Sequence, residues 1–243
     1  MNLEIPSPWG CFDAIFCINL ASRPDRRREA EAQFAKVGLT DRVRFYTVEK
    51  DVENPERGIF TSHMQVIRKG LAEGARHILI FEDDICFRRW RPERLAAAME
   101  FLDGGTGLAG AWDVFFLGGL VKSSGATAAP AVRKIRYQGI THALALNRDC
   151  AEIVAAHNWH GVPMDDFYRD RPELRVYALY PFIAFQSPSP SDNDPWLGLD
   201  RFRRLLGGLT RIQIFNEWIC RYRLILLIAH IAAALAGIML FFQ

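Results

Sequence analysis

The sequence predicts an α/β protein, an open sheet with flanking helices, that continues into a hydrophobic helical tail. Three observations carry this. Apolar runs of strand length alternate with segments of helical period. Proline or a small polar residue opens the helical segments, and Gly38 and Gly74 close two of them. Beyond Pro195 the composition shifts to leucine and arginine and ends in an apolar stretch from Leu224 to Phe242. Alternation at this spacing builds open sheets whose ligands bind outside the carboxyl ends of the strands.

In chain order, Ala14 to Leu20 is a buried strand. A helix capped by Ser22, with Pro24 in its first turn, runs from there to Gly38. Val43 to Val48 is a second strand, and Thr61 or Ser62 caps a helix that stops near Gly74. His77 to Phe81 is a short apolar strand that runs straight into Glu82, Asp83 and Asp84. Pro92 begins a helix to Leu102, and Trp112 to Leu117 is a strand. The small, polar segment from Gly118 to Pro130 reads as a mobile loop. One strand from Ile135 to Leu146, a helix capped by Asn147 and a strand from Leu174 to Tyr180 follow, and QSPSPSDNDP closes the globular part. Residues 1–196 form one domain on this reading and residues 197–243 a tail.

With 243 residues there is room for one core plus the tail. The chain is 50% hydrophobic and 24% charged with a net charge of +2, which argues against disorder and against a general nucleic-acid binder. Five scattered cysteines (Cys11, Cys17, Cys86, Cys150, Cys220) form no CxxC pair. They argue against a disulfide framework or a cysteine zinc site and fit a reducing cytoplasm. The opening MNLEIPSPWG lacks a basic region followed by an apolar one, so no secretory signal is expected.

In the tail, Leu199, Phe202, Leu205, Leu206, Leu209 and Ile212 fall at helical spacing with Arg201, Arg203, Arg204 and Arg211 between them. This basic amphipathic segment is interrupted at Gly207-Gly208. Leu224 to Phe242, with His230 as its one polar side chain, would reach roughly 28 Å as a helix, close to the hydrocarbon thickness of a bilayer. Arg221 and Arg223 before it put the globular domain on the cytoplasmic face of the membrane. An interfacial helix, or one buried in the domain or a dimer, is the alternative.

Glu82-Asp83-Asp84 ends an apolar strand and so stands at the mouth of the sheet. A nucleotide-sugar enzyme needs carboxylates there, because a divalent cation held by oxygen ligands neutralises the leaving diphosphate. Positions i and i+2 of an extended chain point the same way. Glu82 and Asp84 are therefore the expected metal ligands, and Asp83, facing elsewhere, is grouped with the donor-binding residues. A solvated strand end is the plain alternative.

Several segments agree in order and spacing with one family. Ile18-Asn19-Leu20 followed by Arg23, Asp25, Arg26 and Arg27 resembles the INL-x-x-R-x-x-R opening of glycosyltransferase family 25. Gly58 with Thr61-Ser62-His63 resembles its G-x-x-x-SH segment, and ILIFEDDI its EDD form of the DxD motif. Thr141-His142-Ala143 is similar to its T-x-A, Pro163-Met164-Asp165 to its P-x-D, and Pro181, Gln186 and Ser191-Asp192 to its closing P-x-x-x-x-Q…SD. The resemblance covers about Phe12 to Pro195. It implies a GT-A-type open mixed sheet, a UDP-sugar donor, most often UDP-galactose, a divalent metal such as Mn²⁺ (or Mg²⁺), and inversion at the anomeric carbon. Ile59 stands where the family commonly has cysteine. Leu144 stands where it commonly has tyrosine, near the expected donor or acceptor pocket, which leaves the sugar open.

Individual residues have two readings each. Arg23 and Arg26 bind the diphosphate or uracil region, or belong to a solvated helix face with Arg27 and Arg28. Asn19 contacts uridine or caps the turn, and the resemblance favours contact. His63 meets the donor or is structural. Inverting transfer needs a base for the acceptor hydroxyl. Asp165 holds the P-x-D position and is the expected base, with Asp166 as fallback; the alternative is a helix N-terminal acid. Asp192 and Asp194 line the mouth or are solvated. Trp159 and Trp196 stack on sugars or are buried. His157 and His160 lack a carboxylate at zinc-protease spacing. The reading is a metal-dependent UDP-sugar glycosyltransferase acting on a lipid-linked or lipopolysaccharide-type saccharide. Its rival is a non-catalytic membrane-associated scaffold that binds a glycan or partner.

Overall fold

A computed structural model describes residues 7–104, 112–187 and 208–241. Ser191, Asp192, Asp194, Trp196 and residues 199–206 of the basic segment lie outside the described residues. The strands are β1 (Ala14–Leu20), β2 (Arg44–Val48), β3 (His77–Glu82), β4 (Ile85–Phe87), β5 (Val114–Phe116), β6 (Leu120–Ala126), β7 (Val132–Gly139), β8 (Ala143–Asn147), β9 (Val176–Leu179) and β10 (Ala184–Gln186). The helices are α1 (Pro24–Lys36), α2 (Pro55–Ala72), α3 (Pro92–Asp103), α4 (Arg148–Ala155), α5 (Met164–Arg169) and α6 (Gly208–Phe241).

Eight strands form one sheet in the order β2-β1-β3-β8-β5-β9-β7-β6, and β10 and β4 form a two-stranded antiparallel ribbon. The large sheet is mixed: β1 runs parallel to β2 and β3, whereas β8 is antiparallel to both β3 and β5. This large mixed sheet with flanking helices and a C-terminal apolar helix is compatible with a GT-A-like fold.

The central strands are buried on both faces, so each supplies two cores by the period-two alternation of its side chains. Ala14, Phe16, Ile78 and Ile80 pack with Met64 and Ile67 of α2. Ile15, Cys17, Leu79 and Phe81 pack with Phe34 of α1 and with Leu95 and Met99 of α3. Fully buried rings such as Phe34 and Phe81 contribute about 1.5–3 kcal/mol each. The same alternation carries Glu82, two residues past Ile80, onto the α2 side at the carboxyl end of β3. Close approach also constrains the chain between β5 and β6: a Cβ on Gly118 would lie 1.8 Å from the Ala184 carbonyl oxygen, so only glycine fits.

Several boundaries differ from the sequence expectation. Helix α1 starts at Pro24 behind Arg23, and no side chain, Ser22 included, caps it. Helix α2 begins a turn and a half before Thr61, capped by the Asn54 side chain accepting from Arg57 N–H. Pro55 at its first position suits a helix start. The segment from Gly118 to Pro130 contains β6, because β7 supplies a hydrogen-bonding edge that composition does not reveal. The stretch from Ile135 to Leu146 divides into β7 and β8 around Ile140, whose φ of 75° breaks the strand. Asn147 caps α4 as expected, accepting from Cys150 N–H at 2.8 Å.

Helix α6 has two halves. Over its first four turns it packs on β6 and β10. Asn216 brackets Val121, accepting from its N–H at 2.8 Å and donating to its carbonyl at 3.0 Å. Buried Glu217 accepts from Phe182 N–H and from Arg89. Edge strands leave backbone groups unpaired, and here helix side chains satisfy them. From Leu224 onward the described side chains are apolar apart from His230, and all but half-buried Leu226 are exposed. By length and composition, Gly208–Met239 is long and apolar enough to cross a membrane.

Candidate active site

A cleft of about 600 Å³ opens at the carboxyl ends of β1 and β3. Glu82, Asp83 and Asp84 line it together with Arg26, His63, Ile59, Thr141, Asp165, Asp166 and Gln186. Folding thus gathers onto one cavity residues spread from position 26 to position 186. Asn19 and Arg23 are not among its lining residues.

The three acids do not share one extended strand. Strand β3 ends at Glu82, and Asp83 and Asp84 form the turn into β4. The i, i+2 argument for a common direction therefore fails, yet the turn brings Asp84 to the same cleft. Glu82 Oε1 lies 3.3 Å from His63 Nε2 and accepts from Thr141 Oγ1 at 3.2 Å. Burial pushes the Glu82 carboxyl up, but its hydrogen bond with His63 holds it below its ordinary value.

Asp83 is held by protein. It accepts from Asn19 Nδ2 at 2.8 Å, from Leu20 N–H at 3.4 Å and from buried Arg26 at 3.3 Å. Burial nevertheless raises its carboxyl. Asp84 Oδ2 accepts from Gln186 Nε2 at 3.0 Å, while Oδ1 is buried with no hydrogen-bond partner among the described residues. Burial, then the charges of Glu82 and Asp83, push Asp84 up to about 7. Three carboxylates in this space repel one another, and a positive charge among them relieves the repulsion.

Across the cleft, α5 carries Asp165 and Asp166 in its first turn. Asp165 Oδ1 accepts from the Tyr137 hydroxyl at 2.8 Å. Burial raises the Asp165 carboxyl, and the polar groups around it, the backbone at Ile140 and the Tyr137 hydroxyl first, oppose the rise. Thr141, whose hydroxyl proton goes to Glu82, lines the same cleft as Asp165. Asp166 pairs with Arg169 at 2.5 Å. Arg23 pairs with Asp25 at 2.8 Å on the surface. Trp159 packs edge-on against Phe60, with ring centroids 5.6 Å apart, and does not line the cleft.

Leu144 also differs from expectation. It is fully buried in β8 between Ile80 of β3 and Phe116 of β5, inside the sheet and not at the cleft. Ile59 does line the cleft. Sequence reasoning missed Tyr137, since nothing about a tyrosine in a strand marks the carboxylate it meets. It also missed Thr210 and Gln213 of α6, which share the buried face of the helix with Glu217 and Cys220; polar residues recurring at helical spacing were the available signal.

No family model matches the chain. Over 138 residues the chain is 29% identical to the human protein named inactive glycosyltransferase 25 family member 3, a match covering 46% of this chain and 22% of that protein. The chain thus spans about a fifth of that relative's length. Solved structures similar to it include A197 from STIV, with a TM-score of 0.41, 10% identity, and coverage of 71% of this chain and 85% of that one. A second is a glycosyltransferase involved in the glycosylation of the major capsid of PBCV-1, with a TM-score of 0.34 and 10% identity over 58% and 63% of the two chains. A third is mannose-1-phosphate geranyltransferase from Thermus thermophilus, with a TM-score of 0.36 and 10% identity over 68% and 73% of the two chains. By its sequence match, the chain is glycosyltransferase-like.

Proposed function

We propose that the chain is an inverting glycosyltransferase that moves a hexose, galactose in the first instance, from a UDP-sugar to a lipid-linked saccharide or lipopolysaccharide-type acceptor. The observation that carries the reading is the cleft itself: Glu82, Asp84 and Asp165 line it together, with Thr141 donating to Glu82. The match to a family 25 relative supports the same reading.

The residues present fit a divalent cation, Mn²⁺ or Mg²⁺. Glu82 and Asp84 are hard oxygen donors, and the unpartnered Asp84 Oδ1 is a buried acceptor suited to a cation. Among the described residues no three ligating side chains converge, so phosphate oxygens and water would complete the shell, as such ions commonly allow. When bound, the cation supplies positive charge against the diphosphate.

The chain's own residues do the rest. Asp165, ionised, takes the proton of the acceptor hydroxyl as the hexose passes to that oxygen and UDP departs from the opposite face. Tyr137 orients its carboxylate, while Thr141 donates to Glu82. Asp166, tied to Arg169, is the fallback base. Asp83 anchors Asn19 and Arg26 at the donor side, and His63 orients Glu82. Arg23 lies in the turn before α1, paired with Asp25. Membrane attachment through α6, with the domain on the cytoplasmic face, would keep the cleft near a lipid-borne acceptor.

The test is UDP-sugar hydrolysis by the purified protein with and without Mn²⁺. A non-catalytic scaffold is the second reading, and the word inactive in the relative's name favours it. That reading expects UDP-sugar binding without turnover.

A further inference from the structure

The docked half of α6 reaches into the candidate site. Strand β10 is three residues long and, among the described residues, pairs with β4 alone, placing Gln186 opposite Ile85. Both backbone polar groups of Gln186 are taken by α6. Its N–H donates to Gln213 Oε1 at 2.9 Å, and its carbonyl accepts from Thr210 Oγ1 at 2.7 Å. Gln213 is fully buried and Thr210 nearly so. The Gln186 side chain then donates to Asp84 Oδ2 at 3.0 Å, and the next residue's N–H, Ser187, donates to the Asp84 carbonyl at 2.7 Å. Gly208 and Leu209, where α6 begins, line the cleft.

We propose that Thr210 and Gln213 are positioning residues for the candidate metal site: they fix Gln186, and Gln186 fixes the Asp84 carboxylate. This rests on the reading of Asp84 as a cation ligand. The apolar helix is then not a detachable anchor. Gly208 and Leu209 at its start line the cleft, and Thr210 and Gln213 serve it through Gln186, whereas Asn216 and Glu217 further along satisfy Val121 and Phe182. A buried carboxylate held by one oxygen keeps the other in a defined place. Losing the helix side chains frees a three-residue strand end and lets the carboxylate turn. Outer-shell groups of this kind typically change metal affinity 10–100-fold when removed.

The experiment uses the full chain in detergent. Mn²⁺ affinity in the presence of UDP is read from the EPR signal of free Mn²⁺. Gln213→Met and Thr210→Val preserve volume and delete the hydrogen bonds, and each should weaken Mn²⁺ binding about 10-fold. Thr210→Ser restores the hydroxyl and should bind within about twofold of wild type, which a loss of packing alone would not give. A second readout needs no metal. The Gln186 side-chain amide resonances should move in Asp84→Asn and move again in Gln213→Met, with thermal unfolding showing each variant folded. Wild type that binds no Mn²⁺ would remove the metal reading, and the amide resonances would still decide the positioning. Folded Gln213→Met with an unmoved Gln186 amide, or with Mn²⁺ affinity within twofold of wild type, overturns the proposal.

Discussion

Asn19 Nδ2 donates to Asp83 Oδ2 at 2.8 Å, and this bond ties the carboxyl end of β1 to the turn that follows β3. The same carboxylate faces the Arg26 guanidinium, and both side chains are more than nine-tenths buried. Removing one partner of a buried pair costs more than the pair contributes, about 3 kcal/mol. Asp83→Ala should therefore lower Tm strongly. Asp84→Asn should leave it near wild type, because burial already disfavours the Asp84 charge. Thermal unfolding of the two variants side by side checks the contrast.

The base prediction concerns rate and pH together. Asp165→Asn should bind donor normally and transfer at least ~100-fold more slowly. Tyr137→Phe deletes a hydrogen bond that lowers the Asp165 carboxyl, so that carboxyl should rise further. A base works ionised, and the acidic limb of the kcat profile should move to higher pH. An unmoved limb with a reduced rate would assign Tyr137 to packing alone. If Asp166→Asn shows the slow, normally binding behaviour and Asp165→Asn does not, the base is Asp166.

Much of the fold is legible in the sequence because apolar runs mark the central strands. Ala14–Leu20 and His77–Phe81 are buried on both faces, and their composition says so without reference to neighbours. Strands β4, β6 and β10 are hidden for the opposite reason. Each is short or polar and exists only because another strand or helix pairs with it. At the site, Glu82 and Asp84 are picked out by acids that follow an apolar strand directly, and Asp165 by the P-x-D resemblance. Tyr137 and Gln213 do not, since their roles come from partners far away in sequence.

Asp113 provides a pH test away from the cleft. It accepts from Arg175 N–H at 2.7 Å and from its guanidinium at 2.6 and 2.9 Å. Burial pushes its carboxyl up, but the Arg175 bonds win and hold it below the ordinary range. A lowered folded value means stability that is present above the unfolded pKa and lost as pH falls through the folded one. Asp113→Asn should cost about 2 kcal/mol near neutral pH. The gap to wild type should close below the usual carboxylate range, as followed by denaturant unfolding at several pH values.

Membrane behaviour follows from the exposed half of α6. Leu224, Ile225, Leu227, Ile228 and Ile231 are each more than half exposed. Full-length protein should stay with membranes through alkaline carbonate extraction, as a spanning helix does. Release by carbonate would indicate a helix lying on the surface, and soluble monomeric protein without detergent would contradict membrane attachment.

Calorimetric titration of UDP-galactose into the full-length protein, with Mn²⁺ present, tests the central claim most directly. Wild type should give saturable binding that EDTA abolishes, and Asp84→Asn should lose the Mn²⁺-dependent part while remaining folded. Equal, metal-independent binding by wild type and Asp84→Asn would contradict the account.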